Sequence, residues 1–267
     1  MNTKGLSMYR GCRISSGTAK AAIVGTAFAM LGMTASAASA SVIYQDSFSG
    51  SSTTALNGAA PTVHNGTSTT WTADSQWMDN GSVVTPTVNS GNANAWLAFT
   101  PASGYIYTLS EGVEATSSGN PYAGMGLAFS PSGFLGTSIA SGAALSISSG
   151  EPGSGGNEIT TCAGPGQANG NAYPYQGTGT VQGLQMVLNT GAAAWTVQFS
   201  DNGVALGPVF TYTTNPTIGA VGFGTMGTNA QVSNFSLTAT PVPGPAPLAL
   251  VAIGGLGLLL LKRRKAV

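Results

Sequence analysis

The stretch AWTVQFSD at residues 194–201 is the clearest β-strand signal in the chain. Its apolar residues Trp195, Val197 and Phe199 alternate with polar ones, which is the pattern of a strand with one buried and one solvated face. The triplet 201–203, Asp-Asn-Gly, follows at once, and Asn and Gly tolerate the positive φ angles of a tight hairpin turn. This stretch therefore predicts one arm of an antiparallel meander.

Short runs of the same kind, broken by Gly, Asn, Ser and Pro, recur throughout residues 41–240. They are Val42–Phe48, Thr69–Ala73, Ser82–Val88, Ala95–Thr100, Ile106–Glu114, Gly126–Phe129, Ala143–Ile147, Leu184–Asn189, Leu206–Thr213, Ile218–Gly224 and Val232–Ala239. The Gly-rich stretch 148–179 is predicted to be an irregular excursion over the rim. About a dozen short strands in about 200 residues predict one all-β domain, an antiparallel two-sheet sandwich.

Charge is segregated along the chain. All eight Lys and Arg residues lie in the first 20 or the last six positions, and all eight Asp and Glu residues lie between them. Residues 41–240 therefore carry a formal charge of −8 and no cation, so no nucleic-acid partner is expected. Mutual repulsion of the carboxylates also predicts a domain that is more stable near pH 5 than near pH 8.

Residues 1–40 have the order of a secretory signal peptide. Four cations come first, then the apolar run Ala21–Met33, and then small residues. Ala38 and Ala40 satisfy the small-x-small rule, so signal peptidase is expected to cut after Ala40. The export machinery and signal peptidase are therefore predicted partners.

Residues 241–267 have the order of a second targeting signal. A Pro-rich spacer precedes the apolar run Leu248–Leu261, which would be about 21 Å long as a helix. This short transmembrane helix is followed by four cations, which should stay cytoplasmic. The basic stop consists of Lys262, Arg263, Arg264 and Lys265. Both ends thus predict that residues 41–240 leave the cytoplasm while the precursor is anchored in the inner membrane.

The C-terminal segment resembles the PEP-CTERM sorting signals of Gram-negative bacteria. Its motif is Val242-Pro243-Gly244-Pro245, with Gly244 where that family usually has Glu, which makes it a Val-Pro-x-Pro variant. The resemblance implies cleavage near the motif by an exosortase-like protease, and delivery to the cell surface or the extracellular polysaccharide. A permanent single-span anchor is the alternative.

The body of the chain is similar to the concanavalin-like jelly-roll bodies of some PEP-CTERM proteins. The similarity is carried by 46–48 (Asp-Ser-Phe), 56–58 (Leu-Asn-Gly), 71–73 (Trp-Thr-Ala), 95–99 (Ala-Trp-Leu-Ala-Phe), 195–203, 221–223 (Val-Gly-Phe) and 234–237 (Asn-Phe-Ser-Leu). It implies a jelly roll in which Val42–Phe48 pairs with Val232–Ala239.

No catalytic residue is predicted. His64 is the only His, and its surroundings read as a loop. Glu111 and Glu114 are three residues apart, which places them on opposite faces of a strand and argues against a glycosidase pair. Glu151 and Glu158 fall in the Gly-rich stretch. A glycan hydrolase is therefore the least favoured function.

Two further hypotheses concern ligands. No cofactor is predicted, but calcium is an open alternative, because four Asp residues lie near predicted strand ends without a nearby cation. These are Asp46, Asp74, Asp79 and Asp201, and no ligand is assigned among them. The candidate glycan contacts are Trp77, Tyr173 and Tyr175, aromatic residues near Pro, Gly and Asn that are expected to be exposed. Trp71, Trp96 and Trp195 are expected in the core.

The sequence thus favours an exported surface or matrix protein without catalytic activity. Its expected role is structural or adhesive, in exopolysaccharide or biofilm. A carbohydrate-binding module is the alternative.

Overall fold

The computed structural model describes residues 39–49, 54–74, 76–87, 92–116, 122–128, 142–148, 157–164, 172–175, 177–226 and 230–243. Within these ranges the regular structure is all β, and none contains a helix long and apolar enough to cross a lipid bilayer. The predicted signal peptide up to Ala38, the C-terminal apolar run and the basic stop lie outside them.

The strands, in chain order, are β1 (Ser41–Asp46), β2 (Thr54–Ala55), β3 (Val63–His64), β4 (Thr72–Ala73), β5 (Trp77–Asp79), β6 (Val84–Pro86), β7 (Asn92–Ala98), β8 (Tyr105–Ala115), β9 (Tyr122–Ala128), β10 (Gly142–Ser148), β11 (Glu158–Ala163), β12 (Ala172–Pro174), β13 (Gln182–Asn189), β14 (Thr196–Asp201), β15 (Val204–Ala205), β16 (Phe210–Thr211), β17 (Ala220–Met226) and β18 (Ala230–Pro241).

The described strands form two antiparallel sheets. Sheet 1 runs β15-β14-β13-β8-β18-β6-β5-β2, with β1 beside β18, β3 beside β1 and β16 beside β14. Sheet 2 runs β12-β11-β10-β9-β17-β7-β4. The first and last strands pair, with Gln45 opposite Ser236. The predicted all-β two-sheet fold and the predicted pairing of the two ends are both confirmed.

The predicted meander is present, with one interruption. Strand β13 pairs with β14, and the turn between β14 and β15 has φ angles of 48° at Asn202 and 79° at Gly203, as the Asn-Gly signal requires. Of the expected third strand over Leu206–Thr213, only β16 forms, because the short strand β15 pairs with β14 before that range begins. Gly207 and Pro208 lie between the two short strands, and proline cannot donate to a ladder.

The core is centred on five fully buried aromatic side chains. Phe223 of β17 contacts the other four, with ring centroids 5.0–5.9 Å away. The four are Phe48, Trp71, Trp77 and Phe235. Because β17 belongs to sheet 2 and Phe235 to sheet 1, this aromatic cluster joins the two layers.

Several local predictions were wrong. The Gly-rich stretch 148–179 contains β11 and β12, which extend sheet 2, and His64 lies in β3 rather than in a loop. Trp96 and Trp195 are only partly buried. For β3, β11 and β12, pairing with a neighbouring strand outweighs the local composition.

Candidate functional site

The three aromatic residues proposed as glycan contacts do not form a common site. Trp77 is 0% exposed and stacks edge-on against Phe223, because β5 pairs with β6 and so turns its side chain into the core. Tyr173 and Tyr175 are partly buried against the core, and Tyr173 lies opposite Ile159 on sheet 2. The prediction that Trp77 is an exposed sugar contact is therefore wrong.

The Asp46 carboxylate holds the aromatic cluster in place. Its Oδ2 accepts a hydrogen bond from Trp71 Nε1 at 2.8 Å, and its Oδ1 accepts from the Phe48 backbone N–H at 3.0 Å and from Thr62 Oγ1 at 3.3 Å. Phe48 has a φ of 52°, a costly conformation for an aromatic residue. Burial raises the pKa of Asp46, and these hydrogen bonds oppose that shift. The Asp46 carboxylate therefore has a structural role.

The other proposed calcium ligands also have local partners or lie apart. Asp74 accepts the Asn94 N–H at 2.6 Å, and Asp79 accepts the Gly81 N–H at 2.7 Å. Among the described residues, no group of three or more His, Cys, Asp and Glu side chains is placed to hold a metal ion. No shared calcium site is therefore shown among the described residues.

Glu111 is the most unusual charged residue of the sandwich. It lies on the core face of β8 and is 3% exposed, and neither carboxylate oxygen has a hydrogen-bond partner. The strand register places it in one row with Leu184 and Asp201. Burial raises the pKa of Glu111 well above its usual value and also raises that of Asp201, where a hydrogen bond from Asn202 opposes the shift.

The two carboxylates of β8 lie on opposite faces, as their spacing predicts. Glu114 points outward and accepts a hydrogen bond from Gln231 Nε2 at 2.5 Å, whereas Glu111 points inward. Glu158 is on β11 of sheet 2, and Glu151 lies outside the described residues. Glu111 and Glu114 therefore cannot flank one glycosidic bond.

The outer face of sheet 1 carries a depression of about 350 Å³ where β8, β13 and β18 meet. Its lining includes Ser110, Gln185, Asn202 and Asn234, the exposed Val181, and Glu111, whose carboxylate is buried. Gly112 lies opposite Gly183 in the strand register, so no side chain covers the floor between them. We call this feature the outer depression.

A β-bulge forms one side of the outer depression. Between Ser233 and Ser236, β18 has one more residue than the facing part of β8, and Asn234 takes the left-handed conformation with a φ of 52°. The bulge leaves the Asn234 side chain exposed while Phe235 remains in the core. Bulges often direct a side chain toward a functional surface.

The sequence did not indicate the outer depression. Ser110, Gln185 and Asn234 come from three separate regions of the chain, and only the register of β8 with β13 and β18 brings them together. The local signal available was Asn234 within an otherwise alternating strand, since Asn is enriched at positive φ.

The predicted cleavage and sorting positions lie at the ends of the sandwich. Ala40 immediately precedes β1, and Val242 immediately follows β18. The Val242 N–H donates to the Gly104 carbonyl at 2.8 Å, so the chain is held as far as the start of the motif. Gly244, Pro245 and the basic stop lie outside the described residues, as does Ala38.

Searches against models of known protein families and against curated proteins returned no match. Solved structures do show similarity. The crystal structure of an endo-1,3-beta-glucanase from Streptomyces sioyaensis has a TM-score of 0.51 and 13% identity, covering 75% of this chain and 96% of that chain. At this identity the similarity concerns the fold alone.

Two other solved structures are also similar, at lower scores. The Lotus tetragonolobus seed lectin has a TM-score of 0.45 and 14% identity, covering 64% of this chain and 92% of that chain. The exoplasmic/lumenal domain of VIP36, in a Ca²⁺/Man2-bound form, has a TM-score of 0.45 and 11% identity, covering 67% and 85%. The two antiparallel sheets and the similarity to the glucanase establish a jelly-roll-type sandwich.

Proposed function

We propose that this chain is an exported bacterial protein of the cell surface or extracellular matrix, without catalytic activity. Its role is structural or adhesive within exopolysaccharide. The observation that carries the proposal is the coincidence of the sandwich ends with the predicted processing points. Cleavage after Ala40 leaves Ser41 as the first residue of β1, and the Val-Pro-x-Pro motif begins where β18 ends at Pro241. Cutting at both places would remove none of the strands in the described part of the chain.

The pairing of β1 with β18 supports the same proposal. Both ends of the sandwich are held in sheet 1 by neighbouring strands. We infer that the export machinery and signal peptidase act first. The C-terminal helix then holds the precursor in the inner membrane until an exosortase-like protease releases it.

The state of the carboxylates supports a role without catalysis. A glycosidase needs two carboxyl groups facing one substrate. Here Asp46, Asp74 and Asp79 accept backbone or indole hydrogen bonds, Glu114 accepts from Gln231, and the Glu111 carboxylate is buried. Purified protein is therefore expected to release no reducing ends from neutral glucans.

The basic stop is expected to determine how the precursor is held. Changing Lys262, Arg263, Arg264 and Lys265 together to Ser should let the 14-residue apolar run Leu248–Leu261 slip through the membrane, because such a short run holds weakly without cations on the cytoplasmic side. Cell fractionation with mass spectrometry should then find chains with an intact tail in the soluble periplasmic fraction. The charge-preserving change of Lys262 and Lys265 to Arg should leave the precursor in the membrane. Equal membrane retention of the Ser variant would contradict this account.

A further inference from the structure

The outer depression contains polar side chains whose hydrogen-bonding capacity is unused. Ser110 lies directly opposite Gln185 in the register of β8 and β13, and Asn234 stands on the adjoining bulge of β18. Within the described part of the chain, the side chains of these three residues form no hydrogen bond. They present one hydroxyl and two amide groups, which both donate and accept.

The rest of the outer depression is preorganised. Asn202 Oδ1 accepts the Gly183 N–H at 3.0 Å, and Asn202 Nδ2 donates to Gln182 Oε1 at 3.2 Å, so this wall is fixed. A Cβ on Gly112 would lie 2.5 Å from Ser233 Oγ and 3.2 Å from Val181 Cγ1. Glycine at 112 thus lets the Ser233 and Val181 side chains approach the floor. Val181 is 53% exposed and supplies an apolar surface beside the polar groups.

The chemistry of this surface restricts the ligand. A sugar ring offers apolar C–H faces and pairs of hydroxyls that donate and accept, which matches an exposed valine next to amides and a serine hydroxyl. Glu111 also lines the outer depression, but both of its carboxylate oxygens are buried, and the other lining side chains carry no charge. Residues 41–240 hold eight carboxylates and no Lys or Arg, so an anionic ligand would find repulsion and no countercharge.

We propose that the outer depression binds a neutral glycan through Ser110, Gln185 and Asn234. The proposal rests on the proposed function in that the matrix supplies the glycan. It assigns the adhesive contact to the outer face of sheet 1, and not to the aromatic residues Trp77, Tyr173 and Tyr175.

Two variants test the contact. Gln185→Ala removes an unused amide from β13. Asn234→Gly removes the amide of the bulge without backbone strain, because glycine readily adopts the φ of 52° found there. The matched control is Gln198→Ala on neighbouring β14, whose side-chain amide already donates to the carbonyls of Phe199 and Gly207. Thermal melts verify that each protein is folded.

The assay is affinity electrophoresis of the full chain, exported in a Gram-negative host and purified from its membrane or surface. The gels contain dextran, a soluble β-1,3-glucan or a galactomannan, with alginate as the anionic probe. We expect retardation by at least one neutral polysaccharide, little change between low and high salt, and none by alginate. Gln185→Ala and Asn234→Gly should each weaken binding about five- to tenfold, as expected for one lost hydrogen bond, and Gln198→Ala should not.

The opposite outcomes overturn the proposal. These are retardation by alginate alone, the absence of retardation by all three neutral polysaccharides, or equal binding by wild type and Gln185→Ala. Export and processing are assessed independently, by determining where the same protein is found in the cell and which residues form its N- and C-termini. Correctly processed surface protein that binds no neutral glycan would refute the glycan site and leave the proposed function standing.

Discussion

Replacing Phe223 with alanine is expected to lower the free energy of unfolding by about 3–5 kcal/mol. Phe223 is fully buried and is the ring that contacts Phe48, Trp71, Trp77 and Phe235, so its loss leaves a cavity between the two sheets. For a domain of this size the melting temperature should fall by about 10 °C. Urea unfolding followed by tryptophan fluorescence measures the change, because Trp71 and Trp77 lie in the cluster.

Two control substitutions test whether the cost of Phe223→Ala comes from the aromatic cluster or simply from the loss of apolar area. Phe223→Leu roughly preserves volume and should cost less than half as much as Phe223→Ala, about 1.5 kcal/mol. Phe210→Ala removes the same ring from a partly buried position on β16, where its ring partner is Tyr212. Should Phe223→Ala prove no more costly than Phe210→Ala, the cluster would not be the centre of the core.

Replacing Glu111 with methionine is expected to stabilise the sandwich at neutral and alkaline pH. The Glu111 carboxyl is buried without hydrogen-bond partners, so the folded state favours its protonated form and its pKa lies well above the usual 4.5. Below about pH 4.5 both folded and unfolded chains hold the proton, and no ionisation penalty exists. Above that pH the unfolded chain releases the proton first. Stability then falls by about 1.4 kcal/mol per pH unit until the folded pKa is reached.

Denaturant unfolding at pH 5 and pH 8 measures this effect. The wild-type chain should be more stable at pH 5 than at pH 8. Glu111→Met should weaken this dependence of the free energy of unfolding on pH and should be more stable than wild type at pH 8. Glu114→Met, which removes a carboxyl group from the outer face of the same strand, is the matched control. If the free energy of unfolding of Glu111→Met depends on pH as steeply as that of wild type, the Glu111 carboxyl is not the source of the pH dependence.

The expected pH trend was also predicted from the sequence, but for a different reason. Composition indicates eight carboxylates without cations, and repulsion among them was the cause inferred. In the structure, desolvation comes first among the causes that raise the pKa values of Asp46, Glu111 and Asp201. Alternation along Ile106–Glu114 placed Glu111 on one face, but only the packing of the sheets shows that this face is the core.

The parts of the fold that could be predicted are those with local signals. The alternation of residues 195–199 and the Asn202-Gly203 turn identify β14 and its hairpin without reference to other segments. Strand β5 has no such signal, since its three residues lie among Gln, Asp and Asn. Its assignment, and with it the burial of Trp77, depends on pairing with β6 and β2.

The outer depression was beyond prediction for the same reason. Gly112 and Gly183 are 71 positions apart, and each alone reads as a strand breaker. Their direct opposition in the register makes them a bare floor beside Ser110 and Gln185. Local sequence patterns therefore predicted the class of fold, whereas the candidate site arises from which strands are neighbours.

Mass spectrometry of the intact protein recovered from the cell surface and matrix of a Gram-negative host with an exosortase-type protease tests the central claim most directly. We expect a mature chain that begins at Ser41 and lacks Leu248–Val267, with the sandwich complete between the two cuts. Recovery of the chain only from the cytoplasm with residues 1–40 still attached would contradict export. Surface protein that always retains Lys262–Val267 would contradict processing and leave a simple membrane anchor.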